Sequence, residues 1–166
     1  MKKLLIFMFL LLFSAFNAQD AYYPILMTRS DLEASVKLTN SAMSLTHPGK
    51  IYLYKNWIFL VEKYKGIHLI DNTNPSNPLR KAFLKVPGCI DVAVRNSILY
   101  VDNAVDLVAV HLDLVEMTAT EVSRRHWALP EIESPDGYIP EEYTRPKRPA
   151  DTEIVGWISN AEYSAL

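Results

Sequence analysis

One order of short apolar strands and turn residues occurs twice in this chain, 39 to 40 residues apart, and that recurrence limits the fold more than any other feature of its 166 residues. The first copy opens at Pro48-Gly49 and the second at Pro87-Gly88. In the first, residues 51–54 and 57–61 are rich in β-branched and aromatic side chains. Only Lys55-Asn56 separates them, and asparagine tolerates the left-handed backbone of a tight hairpin. Gly66-Ile67-His68-Leu69-Ile70-Asp71 is the third predicted strand, the Asn/Pro/Ser run at 72–78 is a turn, and residues 80–86 complete a fourth strand. In the second copy, residues 96–102 align with 56–62 at an offset of 40, and residues 106–111 align with 66–71 at the same offset. Its strands are predicted over 90–94, 98–101, 106–112 and 116–125.

Four short strands in a period of about 40 residues is the arithmetic of a propeller blade. Blades stack face to face, which accounts for strands with apolar side chains at successive positions as well as alternating ones. The expected fold is all-β: a β-propeller-type repeat of about two four-stranded antiparallel blades, with a short N-terminal helix. Thr28 with Asp31 and Ser30 with Glu33 form overlapping capping boxes ahead of Leu32 and Val36, which predicts that helix. The domain reading is a signal peptide at 1–19, a lead-in at 20–47, repeats at 48–86 and 87–126, and a Pro-rich irregular tail at 127–166. In that tail, residues 153–158 read as the start of a further strand. Propellers have about 4–8 blades. Two units therefore make an incomplete propeller, expected either as the front of a longer protein or to complete itself by self-association.

Ile67-His68-Leu69-Ile70-Asp71 followed by Asn74-Pro75-Ser76-Asn77-Pro78, then Pro87-Gly88 and Asp91-Val92-Ala93-Val94, resembles the LVIVD-repeat family of secreted β-propeller-type proteins. The resemblance covers residues 48–125, and the head and tail are similar to the N-terminal portion of longer Bacteroidetes-type members. It implies a β-propeller, mostly of unassigned biochemical function, and brings no catalytic residue set with it. The sequence departs from the pattern at His68, at Lys55 and Arg95 in place of a hairpin glycine, and at His111 in place of the closing aspartate.

Met1-Lys2-Lys3, the ten-residue apolar run at 4–13 and the small and polar residues at 14–19 read as a secretory signal, cleaved after Ala18. The run is about half the length of a membrane span, so no span is expected after cleavage, and the destination is periplasmic, cell-surface or extracellular. The single cysteine, Cys89, excludes an intrachain disulfide framework. The formal charge of −2, without a dense basic block, disfavours nucleic acid as a partner.

Reactive constellations are not found. The histidines at 47, 68, 111 and 126 form no HExxH pattern, and His68 and His111 are expected on opposite faces of corresponding strands. Cys89 has no local base, and neither a Gly-x-Ser-x-Gly elbow nor a Gly-rich phosphate loop occurs. No catalytic residue, metal or cofactor is assigned. The candidate binding residues are Glu62 and Asp102, read as equivalent positions at the ends of second strands. Asn103 and Asp106 lie beside Asp102, and Tyr64 is read as an exposed aromatic between Lys63 and Lys65. Tyr138 and Tyr143 are weaker contact candidates. The expectation is a non-catalytic secreted binding or scaffolding module for a protein or glycan at the cell surface. The alternatives are the front of a propeller hydrolase or lyase, and a self-associating surface adhesin.

Overall fold

A computed structural model describes residues 22–165. The signal-peptide reading of residues 1–19 lies outside the described residues. In chain order the elements are β1 (Tyr22–Thr28), helix α1 (Arg29–Glu33), β2 (Lys37–Thr39), β3 (Pro48–Tyr54), β4 (Trp57–Glu62), β5 (Gly66–Asp71) and β6 (Leu79–Lys85). There follow β7 (Val92–Arg95), β8 (Ile98–Asn103), β9 (Asp106–Asp113), β10 (Thr118–Arg125), a 3₁₀ turn (Glu141–Tyr143), β11 (Thr152–Ser159) and helix α2 (Asn160–Tyr163). The described chain is mostly β. Its sheets are ordered β2-β6-β5-β4-β3, β10-β9-β8-β7 and β1-β11, and the two larger ones are antiparallel throughout.

The described chain divides into two compact units, Pro24–Trp157 and a smaller one that holds residues 22–23 and 158–165. In the described part of the smaller unit, Tyr23 stacks on Tyr163 with ring centroids 4.6 Å apart, and Ser159 caps α2 in a reciprocal box with Glu162.

Thr28 caps α1 by accepting the Asp31 N–H, and Leu32 is buried beneath it. The β3–β4 and β7–β8 hairpins each have two-residue loops closed by the pairs Tyr54–Trp57 and Arg95–Ile98. In the first loop it is Lys55, at φ 54°, that takes the left-handed conformation expected of Asn56. In the second, Asn96 and Ser97 both do.

Period-two alternation builds the core. Phe59, Val61, Ile67, Leu69, Ala82 and Leu84 from one sheet meet Val92, Val94, Leu99, Val101, Val108 and Val110 from the other in one buried cluster. Each of these side chains larger than alanine contributes about 1.5–3 kcal/mol when fully buried. At the margin, the Tyr52 hydroxyl donates to Val94 O at 3.1 Å, and the Ser97 N–H donates to the Tyr54 hydroxyl at 3.3 Å. On the far face of the five-stranded sheet Leu60, His68 and Phe83 lie side by side across β4, β5 and β6, all buried, while Ile51 and Leu53 of the edge strand β3 are exposed on that face. The four-stranded sheet is covered on one face, where Val108, Val110 and Leu112 are buried, while His111 on the other is exposed. Burial of both faces therefore holds for the central strands of the first sheet and not for the second.

Hairpin pairings correct the repeat alignment. Tyr54–Trp57 matches Arg95–Ile98, and Glu62–Gly66 matches Asn103–Asp106, so β4 corresponds to β8 at an offset of 41, not 40. Trp57–Asp71 matches Ile98–His111, which keeps β5 and β9 at 40. The difference is absorbed in the turn, three residues at 63–65 but two at 104–105. Glu62 thus corresponds to Asn103, and Asp102 to the core residue Val61. His68 and His111 lie on opposite faces in the repeat frame. In the molecule both point away from the shared core, His68 buried and His111 exposed.

Candidate functional site

The turns that join second to third strands in the two sheets, 63–65 and 104–105, meet at a cleft. Tyr64 sits in its turn at φ 67°, donates its N–H to Cys89 O at 2.8 Å and accepts the Gly88 N–H at 3.0 Å. Gly88 is at φ 79°, and a Cβ there would stand 2.4 Å from the Ala104 nitrogen, so only glycine fits. Ala104, at φ 57°, occupies the matching turn. Tyr64, Gly88 and Ala104, all left-handed, line the same cavity.

The cleft has a volume of about 470 Å³, within the usual size of small-molecule sites. Lys63, Tyr64, Gly88, Ile90, Asp102 and Ala104 form one side; residues 129–135 form the other. That far wall is tied down by three contacts. The Leu129 N–H donates to Val105 O at 3.0 Å, the Trp157 indole N–H donates to Ile132 O at 2.9 Å, and Glu131 Oε1 lies 2.6 Å from Arg148 Nη2. The last is a charge contact off the line of the guanidinium N–H bonds. Tyr64 is half-buried rather than exposed, because its ring packs on Gly156, where a Cβ would fall 2.7 Å from the ring. Lys63 Nζ lies 4.9 Å over the same ring.

Asp102 is the half-buried carboxylate of the cleft. Its Oδ2 accepts the Asp91 N–H at 3.0 Å. Burial pushes its carboxyl above the ordinary range, and the neighbouring Asp91 charge adds to that. Lys50, the nearby cation, is salt-bridged to Asp91. Cys89 behind the wall is buried, and burial pushes its thiol well up, which makes it a packing residue and not a nucleophile. Among the described residues, no three His, Cys, Asp or Glu side chains gather as metal ligands would. Nor is any helix long and apolar enough to cross a membrane.

No family model, curated protein or solved structure matches this chain. What the cleft can bind must be read from its own residues.

The other sequence candidates occupy closed networks. Glu62 is fully buried and accepts the Thr46 N–H at 3.0 Å and the His47 N–H at 2.6 Å, with His68 Nε2 at 3.3 Å. Burial raises its carboxyl, but these donors together outweigh it and bring the pKa to about 2. It clips the lead-in to the end of β4 and is not a rim ligand. Asn103 donates to Pro87 O at 2.7 Å and accepts from Arg124 Nη1 at 2.7 Å. Asp106 is fully buried between Arg29 and Arg124 and takes the Trp127 N–H at 3.0 Å. Glu153, also buried, holds Arg145 and Arg148, each at 3.0 Å. Of the five candidates, only Tyr64 and Asp102 face the cleft. The residues missed, Leu129 and Ile132 above all, come from the tail read as irregular. The only local hint there was the mixture of glutamates with Arg145 and Arg148.

Proposed function

We propose that this chain is an exported, non-catalytic binding or scaffolding module of β-propeller type related to the LVIVD-repeat family, with a ligand of the cell surface, protein or glycan, bound at the 64/102 cleft. The observation that carries the binding reading is the cleft itself, formed where matching turns of the two sheets meet. The propeller reading is supported by the faces the sheets use. Ile67 and Leu69 turn to the shared core from the first sheet, whereas their partners in the repeat frame, Leu107 and Ala109, turn away from it in the second. Successive blades related by rotation about a common axis use opposite faces in this way; two sheets related by a simple two-fold would use the same one.

The test is a chemical-shift map of the amides against a panel of small probes: an alkylammonium, an alkyl alcohol, a carboxylate and a hexose. Perturbations clustering at Tyr64, Gly88, Ala104 and Leu129 are expected for at least one probe. A panel that leaves those amides unmoved overturns the reading.

One observation favours the adhesin alternative as a second reading. Ile51 and Leu53 are 61% and 68% exposed on edge strand β3, while their repeat counterparts Val92 and Val94 are buried. An uncovered blade face of this kind favours stacking of copies. Light scattering at increasing concentration should show oligomers that Leu53→Lys returns to monomer; a wild-type monomer throughout removes this reading.

A further inference from the structure

We infer that the cleft takes an organic cation, an ammonium or guanidinium group carried on a short apolar stem. This deepens the binding reading above and rests on the cleft being the ligand site. The charges along its walls are unequally matched. Glu131 already faces Arg148 at 2.6 Å and Arg145 at 3.3 Å, so it belongs to the wall. Asp102 differs: it is half-buried, its oxygens are met by the backbone amides of Asp91 and Ile90, and Lys50, the cation that acts on it, is salt-bridged to Asp91 instead. A carboxylate partly removed from water, whose nearby cation is held by another carboxylate, gains from an incoming cation. Glu133 stands exposed at the mouth and adds negative charge.

One further feature fits the same ligand. Ile90, Leu129 and Ile132 supply apolar surface against which an alkyl stem packs while its charged end reaches a carboxylate. An anionic ligand has the opposite fit, because Arg145 and Arg148 are taken up by Glu131 and Glu153 and only Lys63 remains as a lining cation.

The experiment titrates n-butylammonium, 1-butanol and butyrate into the protein and follows the Gly88 and Ala104 amides. Butylammonium is expected to bind about tenfold more tightly than 1-butanol, the scale of one charge-assisted hydrogen bond, and butyrate more weakly than either. Asp102→Asn should remove that preference without changing 1-butanol binding. Glu133→Gln, at an exposed position, should reduce it by a smaller factor and guards against a folding defect in the first variant. A parallel titration with Nα-acetyl-lysine amide separates a free amine from a peptide lysine: tighter binding than butylammonium supports the peptide source, weaker binding the free amine. Equal or tighter binding of 1-butanol or butyrate overturns the cation class while leaving the cleft as a binding site. If no probe moves the cleft amides, both fall together.

Discussion

Asp106→Ala is expected to lower folding stability by about 3–5 kcal/mol, the cost of removing one partner from a buried ion pair. The carboxylate is fully buried and stands between two guanidinium groups, Arg124 at 2.9 Å and Arg29, whose side chains are only 7% and 13% exposed. Alanine takes the shared carboxylate from both guanidinium groups, leaving Arg124 with Glu121 and Arg29 with Glu33, and it orphans the Trp127 N–H. Burial alone would raise the Asp106 carboxyl, but the hydrogen bonds from Arg29, Arg124 and Trp127 outweigh it and hold the pKa below the ordinary carboxylate range. A depressed folded pKa means that this contribution is complete above the unfolded-state value and declines as pH falls toward the folded one. Urea unfolding at neutral pH measures the loss. The double variant Asp106→Ala/Arg124→Ala should lose clearly less than the sum of the single variants, because both single changes break the same Asp106–Arg124 pair. A single-variant loss below about 1 kcal/mol, the scale of an exposed pair, would show that water reaches the cluster and that it does not hold α1 to the β8–β9 turn.

Most of the sheet structure was legible in the sequence, and the reason is physical. A strand with one face on a core must alternate, and Val92, Val94, Leu99 and Val101 do so without interruption. Two-residue loops leave little room for misplacing a hairpin. The repeat register was harder to read. Leu60 and Val61 are both buried, one on each face of the first sheet, so the apolar pattern of β4 fits β8 at either of two offsets. Only the turn lengths, fixed by backbone pairing, decide between them.

The candidate site was half legible for a related reason. Carboxylates at strand ends are visible in a sequence, but whether they stay solvated depends on what folds over them. Thr46 and His47 cover Glu62 from 16 and 15 residues away, and Arg29 reaches Asp106 from 77 residues away. Asp102 kept its access because the segment that passes it, residues 129–135, stops short of filling the cleft. The same segment carries no strand pattern, since its backbone is held by single contacts such as Leu129 to Val105 instead of a ladder. Its role as a wall could not be read from periodicity.

Glu62→Gln should produce the clearest pH-dependent change in the molecule. In the folded chain this carboxyl is held at about 2 against an ordinary value of 4.5, a difference that corresponds to about 3 kcal/mol of stability at neutral pH. Between those two pH values the unfolded chain binds more protons than the folded one. Wild-type stability therefore rises with pH across that window and falls as acid is added. Glutamine keeps one acceptor for the Thr46 and His47 amides but loses the charge that strengthens those bonds, and it turns an amide donor toward a site built of donors. The variant is expected to unfold at lower urea concentration at pH 7, to lack most of the slope between pH 4.5 and 2, and to approach the wild type at the acid end, where the native carboxyl is itself protonated. His68, buried beside Glu62 with its Nδ1 unpaired, gives the change a local reporter. Its ring resonances and those of Phe83, which meets it edge-on at 4.9 Å, should shift in the variant while those of His111 stay in place. Parallel stability-against-pH curves for the two proteins, offset by a constant, would mean that Glu62 acts through packing and not through its charge. The lead-in at residues 46–47 would then be held to β4 by contacts other than this carboxylate.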